Sequence, residues 1–126
     1  MKGVATSWLA DIALRQGRPK ESAALAREAL SYLWADPKTH ESLSILASIS
    51  IFRVARALHE EGDTDRAIRL IGAIRDGMDR AAAWVGYKEF VASLESTVEP
   101  PRYQRLWAEG KAMTLGQAVA YALMTT

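Results

Sequence analysis

Gly62-Asp63-Thr64-Asp65-Arg66-Ala67-Ile68-Arg69-Leu70-Ile71-Gly72-Ala73 holds a helix stop, a helix start and the first turns of a new helix. Gly62 ends the preceding helix, a position that suits the left-handed conformation only glycine enters cheaply. Asp63-Thr64-Asp65 places acidic groups at the positive end of the next helix. Ala67, Ile68, Leu70, Ile71 and Ile74 then follow at helical spacing, and the pattern weakens around Gly77. Upstream, Asp36-Pro37 pairs an N-cap aspartate with proline at the first helical position, opening a helix that runs to about residue 61. Its apolar residues Leu43, Ile45, Leu46, Ile49, Phe52, Val54 and Leu58 cover more than one stripe, which predicts the central helix of the fold.

The same punctuation recurs on either side. A first helix over residues 4–16 carries Trp8, Leu9 and Ile12 on its apolar side and stops at Gly17. Pro19 opens a second helix to about residue 34, expected to bury Ala26, Ala29, Leu30 and Leu33. After the Gly62 unit come a helix over 85–96 with Phe90, Val91 and Leu94, and one behind Pro100-Pro101 with Tyr103, Leu106 and Trp107. Thr114-Leu115-Gly116-Gln117 is a capping box for a last helix bearing Ala118, Val119, Ala122 and Leu123. No stretch alternates with period two, so the expectation is an all-α fold of about seven helices in up-down order.

Composition narrows the function classes. A chain of 126 residues is one domain, and 49% hydrophobic with 25% charged residues is the balance of a globular protein. Sixteen Lys and Arg against 15 Asp and Glu give a net charge of +1, which argues against a nucleic-acid binder. Having no cysteine excludes disulfides, thiol catalysis and thiolate metal sites. The longest nearly uncharged stretch, residues 42–52, contains four serines and is far too short for a bilayer span. Met1-Lys2-Gly3 leads directly into an amphipathic segment without a secretory pattern, so the expected compartment is the cytoplasm.

Two helix–turn–helix units align on Gly17 and Gly62, 45 residues apart. Seven residues before each glycine stands alanine, Ala10 and Ala55; five after it stands a small residue, Ser22 and Ala67. Ala29 completes the set in the first unit, whereas its counterpart Ile74 breaks it in the second. Small side chains at these places let paired helices approach closely. The sequence resembles a degenerate tetratricopeptide repeat, stretched beyond the usual ~34 residues by a long third helix. The segment from Gly62 to Ala73 looks like "G-D-x-x-R-A-A-R-L-L-G-A", close to the end of many bacterial arrays of this type. Residues 103–115, YQRLWAEGKAMTL, look like "F-x-x-x-W-x-x-G-R-x-L-S-L", with Tyr103 in the phenylalanine place. Residues 117–123, QAVAYAL, resemble the terminal "E-A-V-A-Y-A-L". The resemblance covers about residues 50–124, and such tails close large LuxR/MalT-type regulators, adenylate cyclases and predicted signalling ATPases. Glu95-Ser96-Thr97-Val98 departs from the "R-x-x-L-G" turn, and Arg80-Ala81-Ala82-Ala83 shortens a proline-rich loop in the 78–85 connection.

That resemblance implies a right-handed superhelix of antiparallel pairs: 1–35, then 37–80 with a long first helix, then closing helices over 85–124. It also implies a sensor or scaffold role without catalysis or cofactor, with a protein, a peptide or other domains of a larger parent as partner. No G-x-x-x-x-G-K-[ST] phosphate loop is present, so no ATPase activity is expected here. In such arrays the first helix of each pair lines a groove, whose outward positions fall on Ser7, Asp11 and Arg15 and on Ile49, Phe52, Arg56, His59 and Glu60. Ile49 and Phe52 framed by Arg15, Arg56 and Glu60 would hold a peptide through an apolar anchor and charge pairs. The competing reading buries that face of the third helix under a neighbouring element. Val4, Trp8, Leu25, Tyr32 and Trp34 present more apolar surface than one neighbour covers, which predicts a two-fold homodimer through the first two helices.

Other chemistries find less support. His59-Glu60-Glu61 lacks the second histidine of a zinc-hydrolase helix, since Asp63 stands there, so no metal site is expected. Ser7, Ser22 and Ser93 have no nearby His–acid pair or nucleophile elbow, which disfavours a small helical hydrolase or ligand-binding domain. Arg66, Arg69 and Arg75 are interrupted by Asp65, Asp76 and Asp79, a poor recognition helix for a DNA-binding regulator. Trp107, beside Leu106, is expected in the core rather than in a ligand-stacking set with Trp8, Trp34 and Trp84.

Overall fold

A computed structural model describes residues 2–34, 44–78 and 86–124. The side chains of Val4, Ser7, Leu33, Trp34, Ile45 and Leu46, and all of Leu43 and Trp84, lie outside what it describes, as do the Asp36-Pro37 cap and most of the 78–85 connection. The regular structure among the described residues is entirely α-helical, with no strand. The helices are α1 Lys2–Arg15, α2 Pro19–Trp34, α3 Ser44–Glu60, α4 Thr64–Ala73, α5 Arg75–Met78, α6 Tyr87–Thr97, α7 Pro100–Lys111 and α8 Leu115–Leu123. Seven have nine residues or more; α5 is a single turn that continues α4 after a break at Ile74. That break falls ahead of Gly77, and Ile74 and Met78 on either side of it are both buried.

The two glycine turns are the same structure. Gly17 has φ +75° and Gly62 φ +95°. Around Gly17, its own N–H reaches the Leu14 carbonyl at 3.0 Å and the Arg18 N–H reaches Ala13 at 3.0 Å. Around Gly62, its N–H reaches His59 at 3.0 Å and the Asp63 N–H reaches Leu58 at 2.8 Å. Both sets form the Schellman closure that satisfies the last carbonyls of a helix, at identical register. Asp63 then caps α4 by accepting from the Arg66 N–H, and the Thr114–Gln117 capping box of α8 is formed in both directions.

Packing follows chain order from α1 to α4, each helix lying on the next. Ala10, Ser22, Ala55 and Ala67 are all fully buried, and the Ser22 hydroxyl donates to the Ala10 carbonyl at 2.7 Å across the first pair. Beyond α4 the order changes: α7 packs on α4, and α8 lies against α2, α3 and α4. Glycine permits the α4–α7 contact from both sides. A Cβ on Gly72 would stand 2.6 Å from the Trp107 carbonyl oxygen, and one on Gly110 would overlap the Arg69 carbonyl oxygen. The backbones therefore touch, which is what the glycines in both quoted segments provide.

The core is centred on α3 and α4, through Ile51, Phe52, Val54, Ile68, Leu70 and Ile71, joined by Leu94, Leu106 and Val119. As expected, α3 is buried on several sides. On the first helix Trp8, part of the face expected to self-associate, is 58% exposed, and Leu9 and Ile12 on the same apolar side are 51% and 47% exposed. The side of α1 that turns inward carries Ala10, Asp11 and Ala13, because the close approach of α2 leaves room only for small side chains there. No helix among the described residues is long and apolar enough to cross a membrane.

Candidate interaction sites

Asp11 ties the two hairpins together. Its carboxylate is 3.0 Å from the Arg15 guanidinium one turn away on α1 and 3.6 Å from that of Arg56 on α3. Arg53, nearly buried, lies 5.6 Å from the Trp8 ring centre. Burial lowers the Arg53 pKa, Asp11 opposes that shift, and the like charges of Arg56 and Arg15 add to it. Sequence reading gave Arg53 no role; its signal is that it stands 45 residues after Trp8, in register.

The expected peptide groove does not stand open. Phe52, assigned as its apolar anchor, is fully buried. The rings of Tyr87 and Phe90 meet it edge-on at 5.7 and 5.6 Å, and His59 meets Phe90 at 5.7 Å, so α6 covers this face of α3. His59 is further tied to Thr64 by a 2.9 Å hydrogen bond. Ile49 is half-buried against the core. Of the seven groove residues whose side chains are described, Ser7 being the eighth, Arg15 and Glu60 are exposed and Arg56 is half-buried over the Phe52 ring. What the sequence joined is thus split into a covered aromatic cluster and a polar bridge between α1 and α3.

The face expected to self-associate is also rearranged. Trp8 and Tyr32 are exposed, the Tyr32 hydroxyl donating to Glu28 at 3.0 Å, whereas Leu25 is half-buried against the core and drops out. Leu9 and Ile12, expected on the inner side, join Trp8 outside. Their register equivalents on α3, Val54 and Ala57, are fully buried.

Two further features were not anticipated. Arg27 on α2 donates to the Ala122 carbonyl at 2.9 Å, and Arg66 on α4 donates to the carbonyls of Tyr121 and Met124 at 3.0 and 2.7 Å. These guanidiniums clasp the negative end of the α8 dipole, and Arg66 also lies 5.2 Å from the Tyr121 ring centre. Between α6 and α7 lies a cleft of about 650 Å³. Trp107, expected in the core, is only half-buried: it packs at the core margin and forms a wall of this cleft, stacked on Tyr103 at 5.8 Å and 22°. The reason is that α6 and α7 make little contact with each other, so the ring borders the cleft between them. Among the described residues no group of His, Asp or Glu is placed to hold a metal ion.

The class defined by these observations is an all-helical protein built on two hairpins of one register, closed by a C-terminal helix. Comparison with protein-family models, with curated proteins and with solved structures finds no match to the chain.

Proposed function

We propose that the chain is a non-catalytic protein-interaction module of tetratricopeptide type, acting in the cytoplasm as the regulatory end of a bacterial signalling or transcription-regulator ATPase. The observation that carries the reading is the outer face of α1. Leu9 and Ile12 are about half exposed, while Val54 and Ala57, at the same register on α3, are completely buried. A helix face buried in one unit and bare in its equivalent is a surface shaped to receive another helix. The assignment to the regulator class rests on the segment resemblance, which the α4–α7 contact supports: Gly72 and Gly110, one in each quoted segment, are where those helices touch.

Without another partner, the face pairs with its own copy across a two-fold axis. Light scattering at tens of micromolar should give a mass above one chain that falls to one chain in Trp8→Glu. A single-chain mass for the parent protein, unaltered by that substitution, would sink the self-association.

A further inference from the structure

We propose that the cleft between α6 and α7 is a second, independent binding site, for a planar aromatic anion that stacks on Trp107 and accepts a hydrogen bond from Tyr103. The two helices are linked through Val98 and Glu99, and each buries one leucine completely, Leu94 and Leu106. Val91 and Trp107 stay half-buried along the cleft between them. Its volume, about 650 Å³, falls in the range of small-molecule sites, and it stands open to solvent.

The Tyr103 hydroxyl points to an occupant. Tyr103 is 7% exposed, and its oxygen is sealed from solvent with no hydrogen-bond partner among the described residues. Buried hydroxyls are nearly always paired, because an unpaired one keeps the full cost of its lost hydration. Phenylalanine would fill the same space without that cost. Burial, and then the charge of Glu95, push the phenol up to about 12, so at neutral pH it is a donor. Trp107 is stacked on this ring and half-exposed, and it is the side chain that yields when a ligand acceptor reaches the hydroxyl.

Charge sets the sign of the ligand. Among the described residues, Arg75 and Lys88 line the cleft on the exposed side with a single carboxylate, Glu95, and none of the three is in an ion pair there. Two cations against one anion, beside an indole face, favour an aromatic ring bearing a carboxylate or sulfonate.

The test uses 2-naphthoate and its neutral amide, 2-naphthamide, in isothermal titration calorimetry with the full chain. Naphthoate should bind one per chain, and the amide about tenfold weaker, the loss of one charge-assisted contact. Tyr103→Phe should also weaken naphthoate about tenfold while melting no lower than the parent protein, since it removes an unpaired buried group. Lys88→Glu, an exposed substitution that leaves folding intact, should weaken naphthoate and not the amide. No binding at millimolar naphthoate, equal binding by Tyr103→Phe, or a lower melting temperature in that variant would each overturn the proposal; the last would show the hydroxyl to be paired in solution. None of these outcomes touches the α1 face, so the interaction reading stands or falls separately.

Discussion

The two hairpins share a turn and differ in what they bury. Around Gly17 and Gly62 the same pair of hydrogen bonds closes the first helix of each unit. Inside, α1 and α2 contribute mostly alanine, namely Ala10, Ala13, Ala23, Ala26 and Ala29, whereas α3 and α4 contribute Ile51, Phe52, Ile68, Leu70 and Ile71. The difference tracks the number of neighbours. The second hairpin is enclosed by α2, α6, α7 and α8; among the described residues the first has α3 and α8 beside it, and no helix covers the outer side of α1. Turn chemistry fixes register, and the surroundings decide how much apolar volume that register can use.

Removing the cover of the second hairpin should have the largest effect. Gly110→Ala places a methyl group into the Arg69 carbonyl and forces α7 off α4. The expected loss is on the order of 5 kcal/mol, comparable with the whole stability of a small domain, and chemical denaturation would measure it. A mild effect would mean that α7 is not seated on α4.

Next in size is a direct contrast between the hairpins. Phe52→Ala should cost about 3–5 kcal/mol by emptying the site between α3 and α6. Leu9→Ala should change monomer stability by less than about 0.5 kcal/mol. Comparable losses from both would show that the α1 face is covered in solution even in the monomer.

The smallest effect sharpens what the hairpins share. Both glycines have open space around the missing Cβ, so only backbone strain opposes a side chain. Gly17→Ala and Gly62→Ala should therefore each cost about 1–2 kcal/mol, and by the same amount. Unequal thermal shifts would show that one turn draws on tertiary contacts the other lacks.

What could be read from the sequence was whatever a few adjacent residues decide. Gly17, Gly62, Pro19 and the Thr114–Gln117 box act through their own backbone, and each stands where the pattern put it. For Phe52 the groove reading fails and the competing one, a face buried under a neighbouring element, holds; the sequence left both open because its exposure depends on Tyr87 and Phe90, more than thirty residues away and beyond the reach of any helical period. Leu9 and Ile12 were assigned inward because a helix face carrying large apolar residues normally is the inward one; here close packing on α2 gives that place to alanine. The Tyr103 hydroxyl could be noticed as a departure from phenylalanine, but its lack of a partner is a property of the assembled cleft.

The clasp of Arg27 and Arg66 on α8 changes how this chain holds together as a whole. An open stack of hairpins divides its stability into local shares, each unit answering only to the next. Here a guanidinium on α2 holds a carbonyl 95 positions further along the chain. That bond, together with the packing of α8 on α2 and α3, joins the two ends of the described chain directly and couples the first hairpin to the closing helix.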